Sequence, residues 1–172
     1  MDLKPHDYHM MLNAEARSLK LFDATGKEVF SCEARNRTVN NGQWGHWGNC
    51  PPGEYVLGKP VFKDTVPFGR WFIPLLDYGD HHTMAKFGRS GIGIHGGGSG
   101  LARPMAPRQS PPWVVTHGCF RILNLSLAEL EQKVAGCQAN GGTVYVTVVA
   151  DVPGAVIEAD DWLLDTELAE DE

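Results

Sequence analysis

The sequence predicts a mainly β domain over residues 17–150, a mixed sandwich carrying one helix, and three observations predict it. The 172 residues include twenty glycines and eleven prolines, a density of turn formers that suits short strands and long loops better than helices. One segment, around residues 125–139, has convincing helical spacing. Several short runs alternate apolar and polar residues or are rich in β-branched ones, as strands with a buried face require. The length suits a single domain with a workable core.

Residues 1–16 show no clear period and are expected as an extended or loosely packed lead-in. Ser18-Leu19-Lys20-Leu21-Phe22 alternates, Asp23 to Lys27 supplies a turn around Gly26, and Glu28 to Ala34 follows, which reads as a hairpin. Residues 36–50 are rich in Asn and Gly and read as a structured loop, whose Trp44 and Trp47 either touch a ligand or cap the edge of the core. Pro51-Pro52-Gly53 turns the chain into a strand, because proline fixes φ while glycine permits the reversal. Strands are expected at 54–62, 68–76 and 90–95. In the last of these Ile92 and Ile94 share one face, and Gly91 and Gly93 leave the other bare for a close backbone neighbour or a ligand. Asp77 to Lys86, with His81 and His82, reads as a polar loop. Ser126 and Glu129 form a capping box, Leu127, Leu130 and Val134 follow at helical spacing, and Gly141-Gly142 ends the helix. Thr143 to Val149 is a β-rich run that should close the core.

The formal charge of −6 belongs to the acidic tail, residues 151–172. Residues 158–172 hold eight acids and no base, whereas residues 1–157 hold fifteen bases against thirteen acids. A weak amphipathic segment around Trp162, Leu163, Leu164 and Leu168 leaves a docked short helix and a disordered extension both open. No basic patch with interleaved aromatics stands out, which argues against nucleic acid as a partner. No apolar run approaches the ~18 residues that span a bilayer. Asp2, Lys4, His6, Asp7 and His9 interrupt what would be the apolar core of a secretory signal, so Met1 to Leu12 is not expected to be one.

The chemistry gathers in Thr116-His117-Gly118-Cys119-Phe120-Arg121, with Gly91-Ile92-Gly93-Ile94-His95-Gly96 upstream. A free thiol titrates at about 8.5, so a cysteine that attacks at neutral pH needs a base or a neighbouring cation. His95 is the candidate base for Cys119, with the Gly96 carbonyl in position to orient its imidazole as a carboxylate does in other triads. Gly118 lets the backbone approach a substrate, and the amides of Gly118, Cys119 and Phe120 are natural donors to an oxyanion. Arg121 either holds a substrate carboxylate bidentately or pairs with an acid of the fold. Taken singly, a buried cysteine is usually core and a lone histidine usually a hydrogen-bonded structural residue.

In this order, Thr116, His117, Gly118, Cys119, Phe120, Arg121 and Asn124 resemble the signature of the L,D-transpeptidase catalytic domain, the YkuD-like family that works on peptidoglycan peptides. The family pattern is Gly-hydrophobic-His-Gly, a loop, then Ser/Thr-His-Gly-Cys followed by a hydrophobic residue, Arg and Asn. Pro51-Pro52-Gly53-Glu54-Tyr55 resembles the family's Thr-Pro-x-Gly-x-Tyr/Phe segment, with Cys50 where threonine is common. The run Phe87 to Gly96 looks like the matching segment of the type VI secretion L,D-transpeptidase effectors. What the resemblance implies is a YkuD-like β-sandwich with one helix after the nucleophile loop, no cofactor or metal, and peptidoglycan stem peptides as partners. It makes Cys119 the nucleophile and His95 its partner, gives His117 a supporting role, and puts Gly96 and Thr116 beside the substrate. The thiolate would attack the peptide bond between an L-centre and a D-residue. An amine then resolves the thioester to a crosslink or an exchanged D-residue, and water resolves it to a trimmed peptide. Action at the bacterial cell wall or periplasm follows, reached by a secretion system, a phage or a leader since removed, with an immunity or delivery protein as a further partner.

Twenty residues, Gly96 to Val115, separate His95 from Thr116, a longer loop than is usual in the family. Loops beyond about 12–15 residues are often lids or binding segments; Arg103 and Arg108 are its candidates for contact with stem-peptide carboxylates, and Trp113 is a further candidate for substrate contact. A surface excursion with solvated arginines is the alternative. Two further readings stay open. One is a zinc site of His95, His117 and Cys119 with His81 or His82, although the spacing matches no common zinc pattern. The other is an inactive copy of the fold that binds wall peptides. If Cys119 is catalytic, at most one disulfide is left among Cys32, Cys50 and Cys137, and Cys32 with Cys50 is the pair to test.

Overall fold

Leu19 and Leu21 alternate with Lys20 on β2 (Ser18–Asp23), which pairs antiparallel with β3 (Glu28–Glu33) as the alternation predicts. Asp23 closes the turn between them. Its Oδ1 accepts from the Thr25 amide and hydroxyl at 2.9 and 2.6 Å and from the Lys27 amide at 3.1 Å, while Gly26 takes φ +82°.

The chain is seen in a computed structural model that describes residues 2–36, 48–65, 68–97 and 116–149. The expectations for 37–47 with Trp44 and Trp47, for the loop with Arg103, Arg108 and Trp113, and for the acidic tail 151–172 lie outside the described residues.

The first correction concerns the start of the chain. Tyr8 to Asn13, expected within a loosely packed lead-in, forms β1 (Tyr8–Asn13) in the middle of the sheet, antiparallel to β2 and parallel to β9 (Val144–Val149). Met10 and Leu12 are fully buried, and apolar Met11 on the opposite face hides the alternation in the sequence. Asp7 fixes the entry to this strand: its buried carboxylate accepts from the Thr143 amide at 2.8 Å and the Lys4 amide at 2.9 Å.

The second correction concerns residues 54–62, expected as one strand. They divide at Gly58-Lys59-Pro60 into β4 (Gly53–Leu57) and β5 (Val61–Thr65). β4 pairs with β9 and with the far end of β6 (Gly69–Leu76), and β5 pairs with the near end of β6. β6 also pairs with β7 (Gly93–His95), which runs parallel to β8 (Phe120–Arg121). Among the described residues the bonded order is β3-β2-β1-β9-β4-β6-β7-β8, with β5 off β6. The eight-residue β6 is thus the strand through which two parts of a mixed sheet are joined.

Register builds the core in rows. Phe30, Leu21, Met10, Val146 and Tyr55 stand opposite one another across five strands, all buried. Leu19, Leu12 and Val148 make the next row. Over the sheet lies α2 (Asn124–Ala139), packed against β6 and β9 through Leu127, Leu130, Val134 and Cys137, spaced as one helical face requires. It begins earlier than its sequence signal. Leu123 is the N-cap without a side-chain bond, so the capping box at Ser126 is not used, and the Ser126 hydroxyl meets the Cys32 thiol instead. A short α1 (Thr83–Lys86) occupies part of the expected polar loop, its first turn held by Asp77, whose carboxylate accepts from the amides of Met84 and Ala85 at 2.8 and 3.0 Å. No helix among the described residues is long and apolar enough to cross a membrane.

Leu12 lies at the centre of this arrangement, fully buried between Leu19 and Val148. Leu12→Ala is expected to destabilise the fold by about 2–5 kcal/mol, read as a lower urea midpoint at unchanged slope.

Candidate active site

Two short parallel strands set the geometry. In register, Ile94 faces Phe120 and His95 faces Arg121, so Cys119, one residue before β8, falls opposite Gly93. Residues two apart on a strand share a face, which puts Cys119 and His95 on the same side of adjacent strands. Strand rise and spacing then set their Cα atoms on the order of 8 Å apart, a separation their side chains can bridge. The Cys119 thiol lies 3.7 Å from the Gly91 carbonyl and receives the Gly93 amide. The glycine face expected to admit a close neighbour does so: a Cβ at Gly93 would meet the Ile73 carbonyl and the Phe72 ring.

His95 is buried, with the ring of Phe68 edge-on at 5.0 Å and that of Phe72 at 6.3 Å. Its Nδ1 lies 2.7 Å from the Gly96 carbonyl oxygen. A carbonyl can only accept, so Nδ1 carries the proton and Nε2 is left as the basic nitrogen of the neutral ring. Gly96 is held in turn, its amide donating to the Phe68 carbonyl at 3.1 Å. Any Cβ on Gly96 would overlap Asn124 Oδ1, which accepts from the Gly97 amide at 3.0 Å. Gly96→Ala is therefore expected to cost about 1–3 kcal/mol by overpacking and to slow turnover, because the carbonyl that fixes the His95 tautomer moves. Thermal unfolding and initial rates on one preparation check both effects.

Around Cys119 the backbone is tied by side chains from three segments. The Thr116 hydroxyl donates to the Cys119 carbonyl at 2.8 Å, closing the turn. Asn36, buried at the end of the first described stretch, donates from Nδ2 to the carbonyls of Gly118 and Cys119 and accepts the Cys50 amide at 2.9 Å. Arg89 donates from Nη2 to the His117 carbonyl at 2.7 Å and from Nη1 to the Asn49 carbonyl at 3.1 Å. Gly118 has φ +109°, and a Cβ there would run into Arg89 Nη2 and the Gly48 carbonyl. His117 is exposed at the rim, and Arg121 is buried with its backbone paired to Arg35.

These ties decide which amides can receive an oxyanion. The Arg121 amide goes to the Arg35 carbonyl and the Ile122 amide to the His95 carbonyl, so the parallel register leaves the Phe120 amide inside the β7–β8 ladder. Phe120 is corrected out of the donor set. In a trans peptide C=O and N–H point oppositely, so anchoring the carbonyls of His117 and Gly118 turns the amides of Gly118 and Cys119 away from Arg89 and Asn36.

No protein-family model matches the sequence, and no curated protein sequence does. The similarity lies in solved structures. The helical cell shape determining protein Pgp2 of Campylobacter jejuni superposes with a TM-score of 0.57 at 18% identity over 90% of this chain. An L,D-transpeptidase (Yku) of Stackebrandtia nassauensis gives 0.54 at 14% over 86%. The catalytic domain of the Enterococcus faecium L,D-transpeptidase gives 0.50 at 13% identity, covering 84% of this chain and 98% of that one. The fold is that of the L,D-transpeptidase catalytic domain. Within that likeness the chain spans 51% of the C. jejuni protein's length and 58% of the S. nassauensis one.

On this L,D-transpeptidase fold the Cys119 thiol is pushed above its ordinary pKa, chiefly by burial, against the Gly93 amide and the charges of Arg121 and Arg89. At neutral pH the neutral thiol dominates, so attack by this sulfur would require a base that removes the proton as the bond forms. Alkylation of Cys119 by iodoacetamide is accordingly expected to rise with pH through a midpoint above that of a free thiol, about 8.5. A midpoint below that value would mean a preformed thiolate. The other thiols are also raised by burial, that of Cys32 to about 12, and all four cysteines are free. The Cys32–Cys50 bridge is thus corrected: Cys32 faces Leu19 and Ser126, while Cys50 lies beside Asn36.

Of the residues singled out in the sequence, Cys119, His95, Gly96, Thr116, Gly118 and Arg121 come together around the β7–β8 pair, with His117 at its rim. The zinc set does not assemble, since among the described residues no group of three or more His, Cys, Asp or Glu side chains gathers closely enough to hold a metal ion. His82 is the N-cap of α1, and His81 stacks on Tyr78 at 4.8 Å. Arg89 and Asn36 carried no signal of their own: each acts on backbone carbonyls far away in sequence, which leaves no spacing to read.

Proposed function

We propose that the chain is a cysteine-dependent peptidoglycan L,D-transpeptidase or L,D-carboxypeptidase that works through a thioester. The observation that carries this reading is the bond from His95 Nδ1 to the Gly96 carbonyl, on the strand beside Cys119, which makes Nε2 the basic nitrogen of the ring. In the first half-reaction Nε2 takes the thiol proton while the sulfur attacks the carbonyl of the L-to-D peptide bond of a stem tetrapeptide. The negative oxygen is received by the Gly118 and Cys119 amides. Collapse breaks the C–N bond, and the imidazolium returns its proton to the departing D-residue amine. In the second half-reaction His95 deprotonates an incoming amine or water, which attacks the thioester and regenerates the thiol. Arg121, Thr116 and Gly96 line the centre, Arg103 and Arg108 are assigned to the stem peptide's carboxylates, and Trp113 to substrate contact. The wall or periplasm is the place of action, and an immunity or delivery protein would accompany a wall-targeting toxin with the same centre.

The test is incubation with disaccharide-tetrapeptide, with and without a free D-amino acid, read by mass spectrometry. A crosslinked dimer or an exchanged D-residue establishes transpeptidation, and a trimmed tripeptide establishes carboxypeptidation. Unchanged substrate under all these conditions would sink the proposal.

A further inference from the structure

We propose that Arg89 is a positioning residue for acyl transfer: by joining the Asn49 and His117 carbonyls with one guanidinium, it aims the Gly118 amide at the developing oxyanion. The inference rests on the thioester reading above, and concerns a residue that reading leaves without a role.

Arg89 is placed by its own backbone. After α1 the chain turns at Gly88 with φ +62°, and the Arg89 amide donates to the carbonyl of buried Met84 at 2.8 Å. From there its two terminal nitrogens reach separate segments, Nη1 to Asn49 at 3.1 Å and Nη2 to His117 at 2.7 Å. A planar fork bonded at two points has little freedom to turn, which a lysine could not reproduce. The His117 carbonyl and the Gly118 amide belong to one planar peptide, so fixing the oxygen fixes the direction of the N–H on its other side. The next peptide is fixed in the same manner by Asn36, which holds the Gly118 carbonyl and so orients the Cys119 amide. Two successive amides are thereby aimed by two side chains from outside the turn. Gly118 completes the fit, because a Cβ there would displace the guanidinium. Arg89 also contributes charge, lowering the thiols of Cys119 and Cys50 against their burial.

Positioning of an oxyanion donor and general support of the fold predict different chemistry. Acylation of Cys119 by p-nitrophenyl acetate passes through a tetrahedral oxyanion, whereas alkylation by iodoacetamide does not. Measured at one pH on the same protein, the ratio of the two rates cancels any change in thiolate fraction. Arg89→Ala and Arg89→Gln are expected to lower the acylation-to-alkylation ratio by about tenfold to a hundredfold, less than the loss of an oxyanion donor itself. Arg89→Lys, which keeps the charge and can reach one carbonyl, is expected to fall between these and the parent. Cys119→Ser controls for acylation elsewhere. A ratio unchanged in all three variants overturns the proposal, even if both rates drop or the thermal midpoint falls. If Arg89→Ala does not fold, Arg89→Gln and Arg89→Lys decide it by the same ratio. Because neither probe is a stem peptide, a parent protein inactive on muropeptides would count against the proposed function without touching this result.

Discussion

Replacing Cys119 by alanine is expected to end turnover of a tetrapeptide stem, a loss of at least about a thousandfold, while the fold remains. The substitution removes one sulfur from a site whose turn is held by Thr116, Asn36 and Arg89, none of which bonds the thiol. The core rows on β1, β2, β4 and β9 do not involve it. Circular dichroism and the thermal midpoint should therefore stay close to the parent while product disappears. A carbapenem, which acylates thiols of the resembling family, should add its mass at Cys119. The thiols of Cys32, Cys50 and Cys137 are raised by burial as that of Cys119 is, but no base is assigned to them, and they should stay unlabelled. Mass appearing on any of those three would move the nucleophile.

His95→Gln is expected to lower turnover by about a hundredfold or more, the scale on which a general base contributes. Glutamine approximates the size of the ring between Phe68 and Phe72 but has no nitrogen that accepts a proton near neutral pH. His117→Ala should cost far less. The two histidines bracket the same loop, yet His95 is buried against the Gly96 carbonyl and His117 is exposed, contributing a backbone oxygen that any residue supplies. Initial rates of the two variants, each compared with the parent, check the assignment. Equal losses would mean that the base is assigned wrongly.

What the sequence disclosed depended on whether the signal was local. The hairpin at residues 18–33 was legible because alternation and turn chemistry sit side by side, and the helix at 124–139 because its apolar stripe is continuous. β1 was not, since Met11 carries an apolar side chain on the open face and blurs a period of two. The division between β4 and β5 lay in Gly58-Lys59-Pro60, where apolar residues continue on either side and only pairing with opposite ends of β6 separates the halves. In the site, His95 and Cys119 stood out by chain order. Arg89 and Asn36 did not, because a side chain that bonds a distant carbonyl leaves no mark on its neighbours. Phe120 was read as an oxyanion donor because a sequence cannot show that a strand has already taken its amide.

The parallel pairing of β1 with β9 has a consequence for how the molecule comes into being. Tyr8 meets Val144, so the earliest of the described strands waits for the latest of them, and β4 also needs β9 beside it. Pairings between such remote segments place the domain among slow folders, on a scale of about milliseconds to seconds. On the ribosome, the segment holding His95 and Cys119 emerges before the sheet that supports it can close. A nascent chain halted before Val144 would contain the whole turn that carries Cys119 and lack the strand that completes its scaffold.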